Sequence, residues 1–243
     1  MLATATLLTW ITLAQPGPAP AARPDEPKPA ANAAAAAFEP DPAWKSLGKD
    51  IWFDGKARRV VLRTRVCLND GILEHFLCLK GTKEHESILA TEAPARAIHA
   101  ALLLAGAEPG HPVRFEPRFE PPAGPTIGLE VEWEVDGKKQ KVDARRWVKD
   151  TKTDKELAHD WVFAGSELFN DRRTGKAVYA ADDGDFITVA NFGSSILDLP
   201  YRSSASDADR AYAASPDRVP PRGTAVTLYL APRKPAEADQ RPK

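Results

Sequence analysis

The chain has 243 residues, 43% of them hydrophobic and 28% charged, with 33 basic against 34 acidic side chains and a formal net charge of −1. That composition is too apolar for a wholly disordered protein. A near-neutral balance provides no basic field for nucleic acid or anionic lipid, so no nucleic-acid partner is expected. With the two tails set aside, roughly 190 residues remain, enough to bury a core without disulfide or metal staples.

The N-terminus reads as a targeting segment. Leu2 to Leu13 is apolar or small and is followed by Ala14. About a dozen such residues are too few to span a bilayer but fit the apolar region of a signal peptide, and Thr12 and Ala14 offer the small side chains of a cleavage site. Residues 1–14 are therefore expected to direct export to the periplasm or the extracellular space, with no membrane span. Residues 15–43 are rich in Pro and Ala and lack the apolar side chains that offset ordering entropy, so they read as a disordered linker. Residues 232–243 have the same character, which leaves a folded domain at 44–231.

Strand signals dominate that domain. Ile51-Trp52-Phe53 leads through Asp54-Gly55-Lys56 into Arg58–Leu68, and Val60–Leu68 leads through Asn69-Asp70-Gly71 into Ile72–Leu79. One helix follows, at about residues 94–105: Thr91 is a cap candidate, Pro94 an early helical residue, and Gly106 with Pro109 a stop. Glu130–Val135 then leads through Asp136-Gly137-Lys138 into Gln140–Val148, and Val178–Ala181 through Asp182-Asp183-Gly184-Asp185 into Phe186–Asn191. Asp-Gly between β-branched and aromatic runs signals a hairpin, because these residues accept positive φ. Ser206–Ala214 reads as a second, short helix and Ala225–Leu230 as the last strand. The expected fold class is α+β, a mainly antiparallel sheet built from several hairpins.

The chemistry concentrates between Cys67 and Ser87. The two cysteines, Cys67 and Cys78, default to a disulfide in an exported protein. In a regular hairpin turning at Asp70-Gly71, however, they stand roughly 13 Å apart along the strands, beyond disulfide reach of about 7 Å, which favours free, buried thiols. From Cys78 onward the chain places a thiol, Lys83, Glu84, His85, Glu86 and Ser87 around Gly81. Those side chains suit a small metal- or thiol-dependent site built on Cys78, His85 and Glu86. The plain alternative is a solvated loop with Cys78 in the core, and the spacing matches no zinc pattern. Asp182-Asp183-Gly184-Asp185 lacks the spacing of a calcium loop and reads as a turn. No phosphate-binding glycine motif and no nucleophile elbow is present, and two cysteines fall short of the four an iron–sulfur cluster normally takes, so no cofactor is expected.

The run from Cys67 to Glu74, Cys78, and Lys80-Gly81-Thr82-Lys83-Glu84-His85-Glu86-Ser87 together resemble the YdjY-domain family of exported bacterial proteins. Ala101–Gly110, Trp161–Ser166 and Leu197-Asp198-Leu199-Pro200 extend the resemblance over nearly the whole folded unit. The resemblance implies a cell-envelope location and no established activity; some members have been labelled ferredoxin-like. The function expected is a non-catalytic cell-envelope binding or structural module, its partner another envelope protein or a small ligand, with the Cys78–Ser87 loop as the place for a site.

Overall fold

The computed structural model describes residues 38–203 and 212–233. The expected signal peptide, most of the linker and the tail beyond Arg233 lie outside these. The described residues form, in chain order, β1 (Lys45–Gly48), β2 (Ile51–Asp54), β3 (Arg59–Val66), β4 (Gly71–Ile72), β5 (His75–Leu79), β6 (Ser87–Thr91), α1 (Ala95–Leu104), β7 (Thr126–Val135) and β8 (Lys138–Asp143). There follow β9 (Val148–Asp150), β10 (Trp161–Phe163), β11 (Leu168–Asn170), β12 (Ala177–Tyr179), β13 (Asp185–Thr188), β14 (Leu197–Asp198), β15 (Tyr212–Ala214) and β16 (Ala225–Pro232). Short 3-10 helices cover Glu84–Glu86, Ala144–Trp147 and Ala180–Asp183.

Eight strands close on themselves in the order β3-β16-β7-β10-β14-β13-β5-β6, with β6 returning to β3. Closure removes the open edges that an unclosed sheet of this size would expose. The long strands show why the wall forms. In β3, β16 and β7 the residues Leu62, Leu228 and Val131 pair side by side and are fully buried, and Val60, Leu230 and Leu129 make the next layer. Glu130 between them, and Arg63 and Arg65 further along β3, face outward, the two-residue alternation of a wall with one wet side. By contrast β5, β6 and β13 are buried almost throughout, with both faces covered.

The expected α+β, hairpin-built sheet is thus corrected to a closed, mostly β barrel carrying one helix. Two of the four hairpins form. β2 pairs with β3 around a four-residue connection in which Asp54 Oδ1 accepts from the Ala57 N–H at 2.9 Å. β7 pairs with β8 around Asp136-Gly137, where φ values of 51° and 72° are those of a primed turn. The other two do not form. After Asn69-Asp70-Gly71 the chain leaves β3, makes β4 against β15, and enters β5, which pairs antiparallel with β13 and parallel with β6. Asp182-Asp183-Gly184 ends a 3-10 helix, and Gly184 at φ 111° turns the chain into β13, which pairs parallel with β14. The turn residues do mark bends, but partner choice rests on long-range burial that local turn chemistry does not encode.

The helix forms where expected: Ala95, Ile98, Ala101 and Leu102 bury one face, and Gly106 follows its C-terminus at φ 91°. Of the second expected helix, residues 204–211 lie outside those described, and Tyr212–Ala214 are strand β15. Among the described residues no helix is long and apolar enough to cross a membrane.

Candidate functional site

The loop singled out in the sequence joins β5 to β6, and its structure is local. Gly81 adopts φ 81° and its N–H donates to Glu84 Oε1 at 3.1 Å. Thr82 Oγ1 donates to the Leu79 carbonyl at 2.6 Å, and one turn of 3-10 helix over Glu84–Glu86 delivers Ser87 into β6. Because β5 and β6 run parallel, His75 lies beside Ser87, and the Glu74 N–H donates to the Glu86 carbonyl at 3.1 Å. Glu86 is thereby placed against the start of β5 rather than against Cys78, which lies roughly 10 Å further along that strand.

The loop residues consequently divide. Cys78 is fully buried, and Ser87 is buried with its hydroxyl on the Leu89 carbonyl at 2.8 Å. His85 is 77% exposed, with Nε2 3.8 Å from Glu86 Oε1. Glu84 is occupied by the Gly81 amide. Only Glu86 and Lys83 reach a shared centre, and the residue at the middle of that centre is His75. Cys78, His85 and Glu86 do not surround a common point.

His75 has no exposed surface and stacks on Phe192, ring centroids 5.4 Å apart at an interplanar angle of 13°. Its Nε2 lies 2.8 Å from Asp185 Oδ1 in β13. Lys83 Nζ reaches the same carboxylate oxygen at 3.1 Å, and the Ser194 hydroxyl donates to Oδ2. Burial pushes the Asp185 carboxyl up, but the hydrogen bonds from His75 and Ser194, with Lys83 alongside, outweigh it and bring the pKa down to about 2. The other ring nitrogen, Nδ1, has no hydrogen-bond partner. It stands 4.0 Å from Glu86 Oε1, and one donor atom each from Glu74, His75 and Glu86 lies within 4.8 Å of the others.

Gly184 locks the corner. A Cβ there would meet Thr82 Oγ1 at 2.5 Å, so the backbone preceding Asp185 packs directly on the loop. Glu74, His75 and Ser194 were not candidate site residues in the sequence, and Asp185 was read there as part of a turn. The available signal was a charged pair, Glu74-His75, inside the apolar run Ile72-Leu73-Glu74-His75-Phe76-Leu77, where a strand buried on both faces must give polar residues a partner.

The cysteines form a separate feature. Both are free; the Cys67 thiol donates to the Ser87 carbonyl at 2.9 Å. The neighbouring Cys78 thiol, together with burial, pushes the Cys67 pKa up, while Cys67 and the Ser87 hydroxyl lower that of Cys78 against the opposing effect of burial. Cys67 also lines a shallow groove of about 650 Å³ on the outer face of β3 and β6. Three cations of that groove are held: Arg63 by Asp50 and Lys80 by Glu92 as ion pairs, and Arg65 by the Gly223 carbonyl.

The family model of the YdjY domain matches residues 51–231, most of the chain, and the chain belongs to this family. No curated protein and no solved structure matches it.

Proposed function

We propose that this YdjY-domain protein is an exported, non-catalytic binding module of the cell envelope, and that its binding centre is the corner where β5, β6 and β13 meet. The observation that carries the reading is the state of His75: wholly buried, anchored through Nε2 to Asp185, and left with Nδ1 unpartnered in front of two carboxylates. A buried polar atom without a partner costs about 1–3 kcal/mol. An apolar side chain would fill the same space more cheaply, and local rules are broken in this way chiefly at functional sites. Export is supported by the apolar stretch Leu2–Leu13 and the small residues that follow it.

A ligand-independent measurement tests the centre. In Glu86→Gln, one of the two carboxylates facing Nδ1 becomes an amide able to donate to it. Urea unfolding of the metal-free variant should then give a stability equal to or above that of the native protein. A loss of more than about 1 kcal/mol would show a structural ion pair and overturn the reading. Cell fractionation with N-terminal sequencing tests export: a mature chain beginning near Gln15 outside the cytoplasm is expected, and an intact Met1 in the cytoplasmic fraction would overturn it.

A further inference from the structure

We infer that Glu74, His75 and Glu86 form a binding site for a divalent first-row transition metal ion, with His75 Nδ1 and one oxygen from each glutamate as ligands. The inference rests on the reading of this corner as the binding centre and names what it binds.

Hydrogen bonding sets the donor. The Asp185 carboxylate accepts from Nε2 at 2.8 Å, so Nε2 carries a proton and the ring's metal-binding lone pair is the one on Nδ1. That arrangement, a carboxylate behind a histidine whose other nitrogen faces a site, orients the ring and raises its basicity toward a metal. The lone pair points into a space shared with two carboxylates. At 4.0 Å, Nδ1 and Glu86 Oε1 are too far apart for a hydrogen bond. Two ligands on one ion, each at about 2.0–2.2 Å, stand roughly 3.3–4.3 Å apart depending on the angle between them. The present spread of up to 4.8 Å therefore needs a glutamate side chain to move in by about half an ångström or more on binding. A dication bound between them satisfies the buried, unpartnered nitrogen and takes an oxygen of each glutamate as a further ligand.

The scaffold makes the triad rigid where rigidity matters. Glu74 and His75 are consecutive residues at the start of β5, and Glu86 is tied to them by the Glu74 N–H to Glu86 carbonyl bond at 3.1 Å. Phe192 stacked on the imidazole holds the ring plane. Glu86 keeps 14% of its side-chain surface exposed beside the exposed His85, and this is the side from which an ion enters. The donor set chooses the class of ion: one imidazole with two carboxylates suits Zn²⁺, Mn²⁺, Fe²⁺ or Co²⁺, whereas Ca²⁺ and Mg²⁺ prefer all-oxygen cages and Cu⁺ prefers sulfur. Three protein ligands leave at least one coordination position open to water or to a group from a bound partner.

The test uses the purified mature chain after chelator treatment, titrated calorimetrically with Zn²⁺, Mn²⁺ and, as controls, Ca²⁺ and Mg²⁺. One equivalent of Zn²⁺ should bind, Mn²⁺ should compete more weakly, and a hundredfold excess of Ca²⁺ or Mg²⁺ should not displace it. Co²⁺ should give a visible absorption band that Zn²⁺ abolishes. Glu74→Gln and Glu86→Gln should each weaken Zn²⁺ at least tenfold, and Asp185→Asn, which touches the ion only through His75, by about 10–100-fold. Circular dichroism of each variant separates lost binding from lost folding. The inference falls if no one-to-one binding is seen, if Ca²⁺ binds as well as Zn²⁺, or if binding survives both glutamine variants unchanged. If the metal-free Glu86→Gln protein keeps its stability while Zn²⁺ fails to bind the native chain, the binding centre stands and its ligand is not a metal. If that variant is destabilised as well, both fall together.

Discussion

His75 Nε2 and Asp185 Oδ1 meet at 2.8 Å across the seam between β5 and β13, and Lys83 and Ser194 close on the same carboxylate. Removing this carboxylate leaves a buried imidazole and a half-buried ammonium without their common partner. Asp185→Ala should lower stability by about 3–5 kcal/mol at neutral pH. Asp185→Asn, which keeps an oxygen for His75, should lose only about 1–2 kcal/mol. Urea unfolding monitored by tryptophan fluorescence measures both; equal losses for the two variants would mean that the charge is irrelevant to the corner.

Asp198 in β14 gives the opposite pH behaviour. It is wholly buried; Oδ1 accepts from Asn191 Nδ2 at 3.1 Å and from the Leu199 N–H at 2.7 Å, while Oδ2 has no partner. Burial raises its pKa to about 7, further than the Asn191 and Leu199 hydrogen bonds lower it. The folded state therefore holds a proton that the unfolded chain, titrating at about 3.9, releases earlier. Its contribution to stability is present in full below about pH 4 and is lost as the pH rises through 7. An amide at this position carries no such proton, so Asp198→Asn should flatten that limb. The variant should gain on the native protein between about pH 5 and pH 8, by as much as about 3 kcal/mol. Parallel pH profiles for the two proteins would contradict the assignment.

The two thiols should differ in reactivity, and in the order set by access. Cys67 lines the outer groove and is half-buried; Cys78 has no exposed surface. Although Cys67 is held in its thiol form, it should alkylate slowly in the native protein, while Cys78 should react only on unfolding. Mass spectrometry of a timed iodoacetamide reaction reads this directly. Preferential labelling of Cys78 in the native protein would contradict this order.

The ends of the domain should matter modestly. Phe38 packs on Trp52 with ring centroids 4.9 Å apart, and Arg233 Nε donates to Asp160 Oδ2 at 3.1 Å. A fragment of residues 38–233 should melt with the mature chain. One of residues 44–231 should lose about 1 kcal/mol, a few degrees for a domain of this size. Identical melting of the two fragments would show that neither end contributes.

The sequence by itself determined the elements that depend on near neighbours. The helix over Ala95–Leu104, the primed turn at Asp136-Gly137 and the long strands β3, β7 and β16 follow from capping residues, positive-φ turn residues and alternation on one wet face, all local properties. The lysine-glutamate stretch before Ser87 also pointed to the right loop, and through it to Lys83 and Glu86. Only the tertiary structure decided which strands meet. β5, β6 and β13 are buried on both faces and carry little alternation, so nothing in their residues announces that β5 runs parallel to β6 or that the side chain of Asp185, 110 positions from His75, reaches its ring. The centre at His75 is made entirely of such pairings: a parallel register sets Glu86 beside Glu74, and an antiparallel one brings in Asp185. Contacts of that kind form only when the barrel closes, because the burial that rewards them is a property of the whole wall and of no single segment.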